Sequence, residues 1–141
     1  MFHEVADDPG SKTPTELYEL YASELVAAIE ARGIDEVAAE SDVEESRLRA
    51  LLDDEEPELT LEEAASILAV VDETPDGETI ATLAREALLM GMTTAVLDVE
   101  AVESGVNGRL EAREIQSKVE GRFPMQLREF ALLHQYIESK K

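Results

Sequence analysis

The chain has 141 residues, 44% of them hydrophobic, and carries 33 acids against 12 bases for a net charge of −21. That is enough apolar material for the core of one ordinary domain, which excludes a disordered acidic tail. Cysteine is absent, which excludes disulfides, thiol catalysis and cysteine-ligated zinc or iron–sulfur centres.

Residues 1–12 are polar and contain Pro9-Gly10-Ser11; they read as a flexible N-terminal arm. They show no basic region followed by an apolar run, so they are not a secretory signal. No apolar stretch approaches the roughly 18 residues needed to cross a bilayer. These features predict a soluble cytoplasmic protein without a membrane partner.

Thr13-Pro14-Thr15-Glu16 places a cap residue, a proline at the first helical position and a reciprocal glutamate in sequence. The helix it opens runs to about Arg32, with Leu17, Leu20, Tyr21, Leu25, Ala28 and Ile29 as its apolar stripe. Gly33 stops it. Short helices follow over about 35–41 and 44–54. Thr60-Leu61-Glu62-Glu63 is a second capping box, opening a helix to about Val71. Residues 72–77, Asp-Glu-Thr-Pro-Asp-Gly, read as a loop. A long helical region begins at Glu78, with Gly91 and Thr93-Thr94 as its expected break or bend and a further helix over about 94–103. Helices over about 108–120 and 124–138 close the chain.

No segment alternates apolar and polar residues in the manner of a strand. The fold class is therefore all-α, with about six to seven helices. The predicted organisation is a four-helix unit over 13–72 and a C-terminal helical unit over 78–141 packed on it.

Residues 34–52 carry a more specific pattern. Ala38 is small at a fifth position, where two crossing helices approach closely. Val37, Val43, Leu48 and Leu51 occupy fourth, tenth, fifteenth and eighteenth positions that face a core, and Asp42 stands at a ninth position that needs a left-handed backbone. With the leading helix that ends at Gly33 and the helix opened by Thr60, residues 15–72 resemble the phage-repressor (Cro-like) helix-turn-helix domain. That domain usually has glycine where this chain has Asp42. The resemblance implies a recognition helix at about 44–52 whose outward residues are Glu44, Glu45, Ser46, Arg47 and Arg49. Two leading positions are thus acidic, and Asp53-Asp54-Glu55-Glu56 follows. Carboxylates can accept from a cytosine amine but cannot hold phosphates. The expected role is a non-catalytic, helix-turn-helix-like protein-interaction module, a regulator acting through a protein partner or a second copy of itself. The alternative is a DNA-binding transcriptional regulator using helix 44–52 or the basic C-terminal helices.

The basic residues cluster late. Seven of the twelve lie beyond residue 106: Arg109, Arg113, Lys118, Arg122, Arg128, Lys140 and Lys141. Arg109 and Arg113 are expected to share a helix face. With Glu44, Glu45, Arg47 and Arg49, the residues Arg109, Arg113, Arg122 and Arg128 form the candidate interaction surface; docking onto the acidic N-terminal half is the other reading of the same arginines.

Catalytic and metal chemistry find little support. His3 and His134 are the two histidines, and His134, beside Leu132 and Leu133, reads as a structural residue. No Gly-x-Ser-x-Gly turn or glycine-rich phosphate loop is present. Residues 103–114 match a calcium loop at Gly108, Leu110 and Glu114, but Gly105 removes a ligand. No enzyme activity, cofactor or metal is expected. Leu88, Leu89, Met90, Met92 and Met125 read as core before they read as an adaptable surface.

Scarce lysine, abundant alanine and valine, the acidic excess and the stretch from Glu114 to Met125 together resemble the small, acidic, uncharacterised proteins of halophilic archaea. The resemblance implies a high-salt cytoplasm, where charge repulsion is screened within about 3 Å near 1 M salt. It implies no mechanism.

Overall fold

The computed structural model describes residues 2–71 and 76–141. Among them are eight α-helices: α1 (Pro14–Arg32), α2 (Ile34–Ser41), α3 (Glu45–Leu52), α4 (Leu61–Val71), α5 (Gly77–Ala95), α6 (Val99–Gly105), α7 (Ala112–Val119) and α8 (Leu127–Ser139). The count is close to the expected six to seven, and residues 77–105 form two separate helices, which meet at 92°. Among the described residues no single helix is long and apolar enough to cross a membrane.

The capping signals act as the sequence implies. Thr13 Oγ1 accepts from the Glu16 amide at 3.1 Å, and Glu16 Oε1 accepts from the Thr13 amide at 2.9 Å. Thr60 and Glu63 repeat the exchange at the start of α4, at 3.1 and 3.0 Å. Each exchange satisfies two donors that a helix start leaves open. The loop expected at 72–77 lies mostly outside the described residues; Asp76 caps α5 by accepting from the Thr79 amide at 2.8 Å.

Helices α1 and α4 lie at the centre, α1 packing on α8 and α4, and α4 on α5 and α2. One hydrophobic cluster runs through both halves of the chain, from Leu17, Tyr21 and Leu25 through Leu61 and Ile67 to Leu88, Ile115, Phe130 and Leu133. The halves are also tied backbone to backbone. The Leu61 amide donates to the Met125 carbonyl at 2.7 Å, and the Leu127 amide to the Leu59 carbonyl at 2.8 Å. These bonds flank an isolated antiparallel bridge between Thr60 and Gln126. Among the described residues there is no β-strand.

Two expectations need correction. The N-terminal residues are packed and do not form a loose arm. Phe2 is fully buried, with its ring edge-on to Tyr21 at 5.5 Å between centroids. Pro9 is buried as well, and Gly10 lies against the backbone of Glu138 and Ser139 at the end of α8. A short polar segment carried too few apolar residues to reveal that one of them, Phe2, fills a core site. The break expected near Gly91 is also absent, and α5 continues to Ala95. Gly91 instead permits close approach of α8: a β-carbon there would stand 2.7 Å from Ile137 Cγ2.

Candidate interaction surface

Helices α2 and α3 form the local geometry in which four of the candidate residues sit. Val37, Val43, Leu48 and Leu51 are buried, which fixes the inward faces of both helices. Between them Asp42 takes a left-handed conformation, φ 61° and ψ 14°. Ser41 closes the turn: its hydroxyl donates to the Val37 carbonyl at 2.6 Å and accepts from the Val43 amide at 3.2 Å.

The outward face of α3 is acidic at its start. Glu44 and Glu45 are exposed. Arg49 is exposed too, but its guanidinium donates to Glu45 at 2.8 Å one turn earlier. Arg47 departs from the expectation of an outward residue. It is only 26% exposed, and its two terminal nitrogens donate to the two oxygens of Glu63 at 2.9 and 2.6 Å, with a further bond to the Glu58 carbonyl at 3.1 Å. The pairing holds the Glu63 carboxyl below its ordinary value, first through these hydrogen bonds and then through the Thr60 cap, against the opposing effect of burial. Arg47 therefore fastens α3 to the start of α4.

The C-terminal arginines are dispersed. Arg109 lies in the turn between α6 and α7 and Arg113 in α7, so the helix face they were expected to share does not exist. The reason is local: Asn107 and Gly108 both have positive φ, 59° and 72°, and α7 begins only at Ala112. Arg122 reaches back to Glu120 at 3.2 Å. Arg128 lies over the Tyr18 ring, 5.4 Å from its centroid, and 3.7 Å from Glu56. Arg109 and Arg128 do come together, across a notch that Tyr18 lines; Arg113 and Arg122 do not line it.

Two basic residues outside the candidate surface bind the fold together. Lys118 contacts Glu129 at 2.7 Å and Glu114 at 3.5 Å. Arg85 pairs with Glu62 and donates through Nε to the Lys118 carbonyl at 2.8 Å. Part of the docking expected of the late basic residues is visible in Arg128 and Glu56, although Lys118 pairs within its own half.

His134 is 4% exposed, and its Nδ1 lies 2.9 Å from the Tyr21 hydroxyl. Burial lowers its pKa to about 4, outweighing the nearby Glu138 carboxylate. The methionine stripe divides. Leu88, Met92 and Met125 are buried, while Leu89 and Met90 are exposed, Met90 at 70%.

The molecule is thus an all-helical protein whose α3 surface offers carboxylates and whose cations are mostly engaged within the chain. It belongs to the family of unknown function DUF5791, whose model matches residues 17–140. No curated protein and no solved structure matches the chain.

Proposed function

We propose that the protein is a non-catalytic, helix-turn-helix-like interaction module, a regulator that works through a protein partner or a second copy of itself in the high-salt cytoplasm of a halophilic archaeon. One observation carries this reading. The α2–α3 pair has the inward residues and left-handed turn of such a unit, yet its outward face presents Glu44 and Glu45, while Arg47 is committed to Glu63 and Arg49 to Glu45. A face of this kind suits a partner's basic or hydrogen-bonding groups better than a phosphate backbone, whose affinity comes from cations that neutralise it. The high-salt setting draws its support from the net charge of −21, whose self-repulsion molar salt screens. Burial of His134 beside Tyr21 supports a structural use of that histidine and so the non-catalytic reading.

DNA binding is the second reading. Arg109 and Arg113 favour it, since neither has an ion-pair partner among the described residues. It has less support, because the two arginines that follow, Arg122 and Arg128, are engaged with Glu120 and Glu56.

The test is affinity capture from native lysate in molar potassium chloride, with and without nuclease, using the wild-type chain and a Glu44→Lys, Glu45→Lys variant. Nuclease-resistant protein partners that the variant loses are the expected result. Recovery of DNA alone, or partners retained unchanged by the variant, would overturn the proposal.

A further inference from the structure

The notch shared by Arg109 and Arg128 is an opening of about 320 Å³ between the start of α1, the α6–α7 turn and α8. That volume is at the lower end of the range for small-molecule sites. Three kinds of group converge on it, and they all favour negative charge.

The first is a pair of guanidiniums. Arg109 is exposed and has no ion-pair partner among the described residues, in a chain where acids outnumber bases 33 to 12. The turn that carries it is fixed: Asn107 and Gly108 are left-handed, and Leu110 is buried at 4% exposure. Arg128 is held in position over the Tyr18 ring.

The second is the first turn of α1, a helix of 19 residues. Pro14 has no amide hydrogen, and the amides of Glu16 and Leu17 donate to Thr13. Thr15 lines the notch, and its amide is the one of these with no acceptor among the described residues. It stands at the positive end of the helix dipole.

The third is Tyr18. The residue is 5% exposed, and its hydroxyl is buried with no hydrogen-bond partner among the described residues. Burial raises its pKa against the opposing effect of the Arg128 guanidinium beside it, so it keeps its proton. A buried hydroxyl without a partner is uncommon, because leaving it so costs about 1–3 kcal/mol.

Two carboxylates also line the notch, and they behave differently. Glu129 is neutralised by Lys118 at 2.7 Å and accepts from the Gln126 amide at 2.9 Å. The Glu56 carboxylate lies 3.7 Å from Arg128 Nη2, a long contact, with its side chain 53% exposed, and its backbone carbonyl accepts from the same nitrogen at 3.5 Å. It occupies the cation loosely, as an internal competitor would.

We propose that this notch binds a small organic oxyanion, a carboxylate or a phosphate monoester, between Arg109 and Arg128, displacing Glu56. The oxyanion takes donors from the two guanidiniums and the Thr15 amide. Its apolar body lies against Leu110 and Leu132, which also line the opening. The site is independent of the α3 surface and stands or falls separately from the interaction role.

The test is a nuclear magnetic resonance titration of the full chain, at constant ionic strength in potassium chloride, with benzoate and separately with phenyl phosphate. Saturable shifts at the amides of Thr15 and Arg109 and at the side chain of Arg128 are expected. Saturation by benzoate alone assigns a carboxylate, and by phenyl phosphate alone a phosphate; either supports the site. Arg109→Ala, which breaks no ion pair among the described residues, should weaken binding about tenfold, the worth of one charge-assisted contact. Glu56→Gln should tighten it. No saturable shift with either probe, undiminished binding in Arg109→Ala, or equal or weaker binding in Glu56→Gln would each overturn the proposal.

Discussion

Tyr21 and His134, 113 positions apart in sequence, meet in the core with the hydroxyl 2.9 Å from Nδ1. Glu138 lies on the other side of the ring, 3.8 Å from Nε2. With the proton of the neutral imidazole on Nε2, the side that faces Glu138, Nδ1 is the acceptor for the Tyr21 hydroxyl, whose pKa is raised by burial and by Glu138. His3 and Lys141 also act on this ring, and both oppose its protonation.

A pH dependence follows from that pair. The folded pKa of His134 lies near 4, below its ordinary 6.5, so between those values the unfolded chain binds the proton more readily. The stability that neutral His134 confers is fully present above pH 6.5 and is lost as pH falls through 4. The loss is on the order of 3 kcal/mol. Carboxylate titration adds its own slope, so the measurement is a difference. Urea unfolding of wild type and His134→Gln should converge as pH falls from 7 to about 4. Parallel curves would exclude a buried, neutral His134. Tyr21→Phe should cost about 1–3 kcal/mol at pH 7 by leaving Nδ1 unpaired.

The inward pattern of this fold was legible in the sequence, and the polar pairings were not. Val37, Val43, Leu48 and Leu51 could be assigned to the core because their spacing in the two-helix pattern is local, and Thr13 and Thr60 could be assigned as caps because capping is local too. The helix-turn-helix resemblance implies an outward Arg47, yet Glu63, sixteen positions away, turns it inward. Phe2 is buried by Tyr21, a partner that periodicity in a short polar segment cannot reveal. The notch escaped notice for the same reason. Arg109, Arg128 and Tyr18 come from three separate elements, and only the packing of α8 on α1 brings them together.

The Arg47–Glu63 pair joins α3 to α4 through two parallel contacts. With both side chains only 26% and 30% exposed, removal of one partner strands the other. Glu63→Gln should cost about 1–3 kcal/mol in urea unfolding. Arg47→Lys should recover only part of the wild-type stability, since an ammonium cannot make the paired contact. Full recovery with lysine would mean that charge alone holds the helices together.

Gly10 tests the packing of the N-terminal residues. A β-carbon there would meet the Ser139 amide nitrogen at 2.8 Å and the Glu138 carbonyl at 2.9 Å, and backbone atoms in a helix end cannot yield as a flexible side chain can. Gly10→Ala should displace residues 2–12 and uncover Phe2, costing about 1.5–3 kcal/mol. If that is the mechanism, Phe2→Ala added to Gly10→Ala should cost little more, because both remove the same contact. Additive losses would show that Gly10 and Phe2 act separately.

Val96 ends α5 in a left-handed conformation, φ 57° and ψ 51°, with its side chain 89% exposed. A β-branched residue crowds its own backbone there, and exposure leaves the side chain almost no burial to offset that cost. Glycine relieves about 1–2 kcal/mol of crowding and gives back about 0.4–1 kcal/mol through the freer unfolded chain. Val96→Gly should therefore stabilise the protein by roughly 0.5–1 kcal/mol and raise its melting temperature by about 2–4 °C. The helix end itself should persist, since the Val96 amide donates to the carbonyls of Met92 and Thr93 and glycine retains that donor. An unchanged or lower melting temperature would mean that the exposed valine contributes to the fold in a way its position at the end of α5 does not account for.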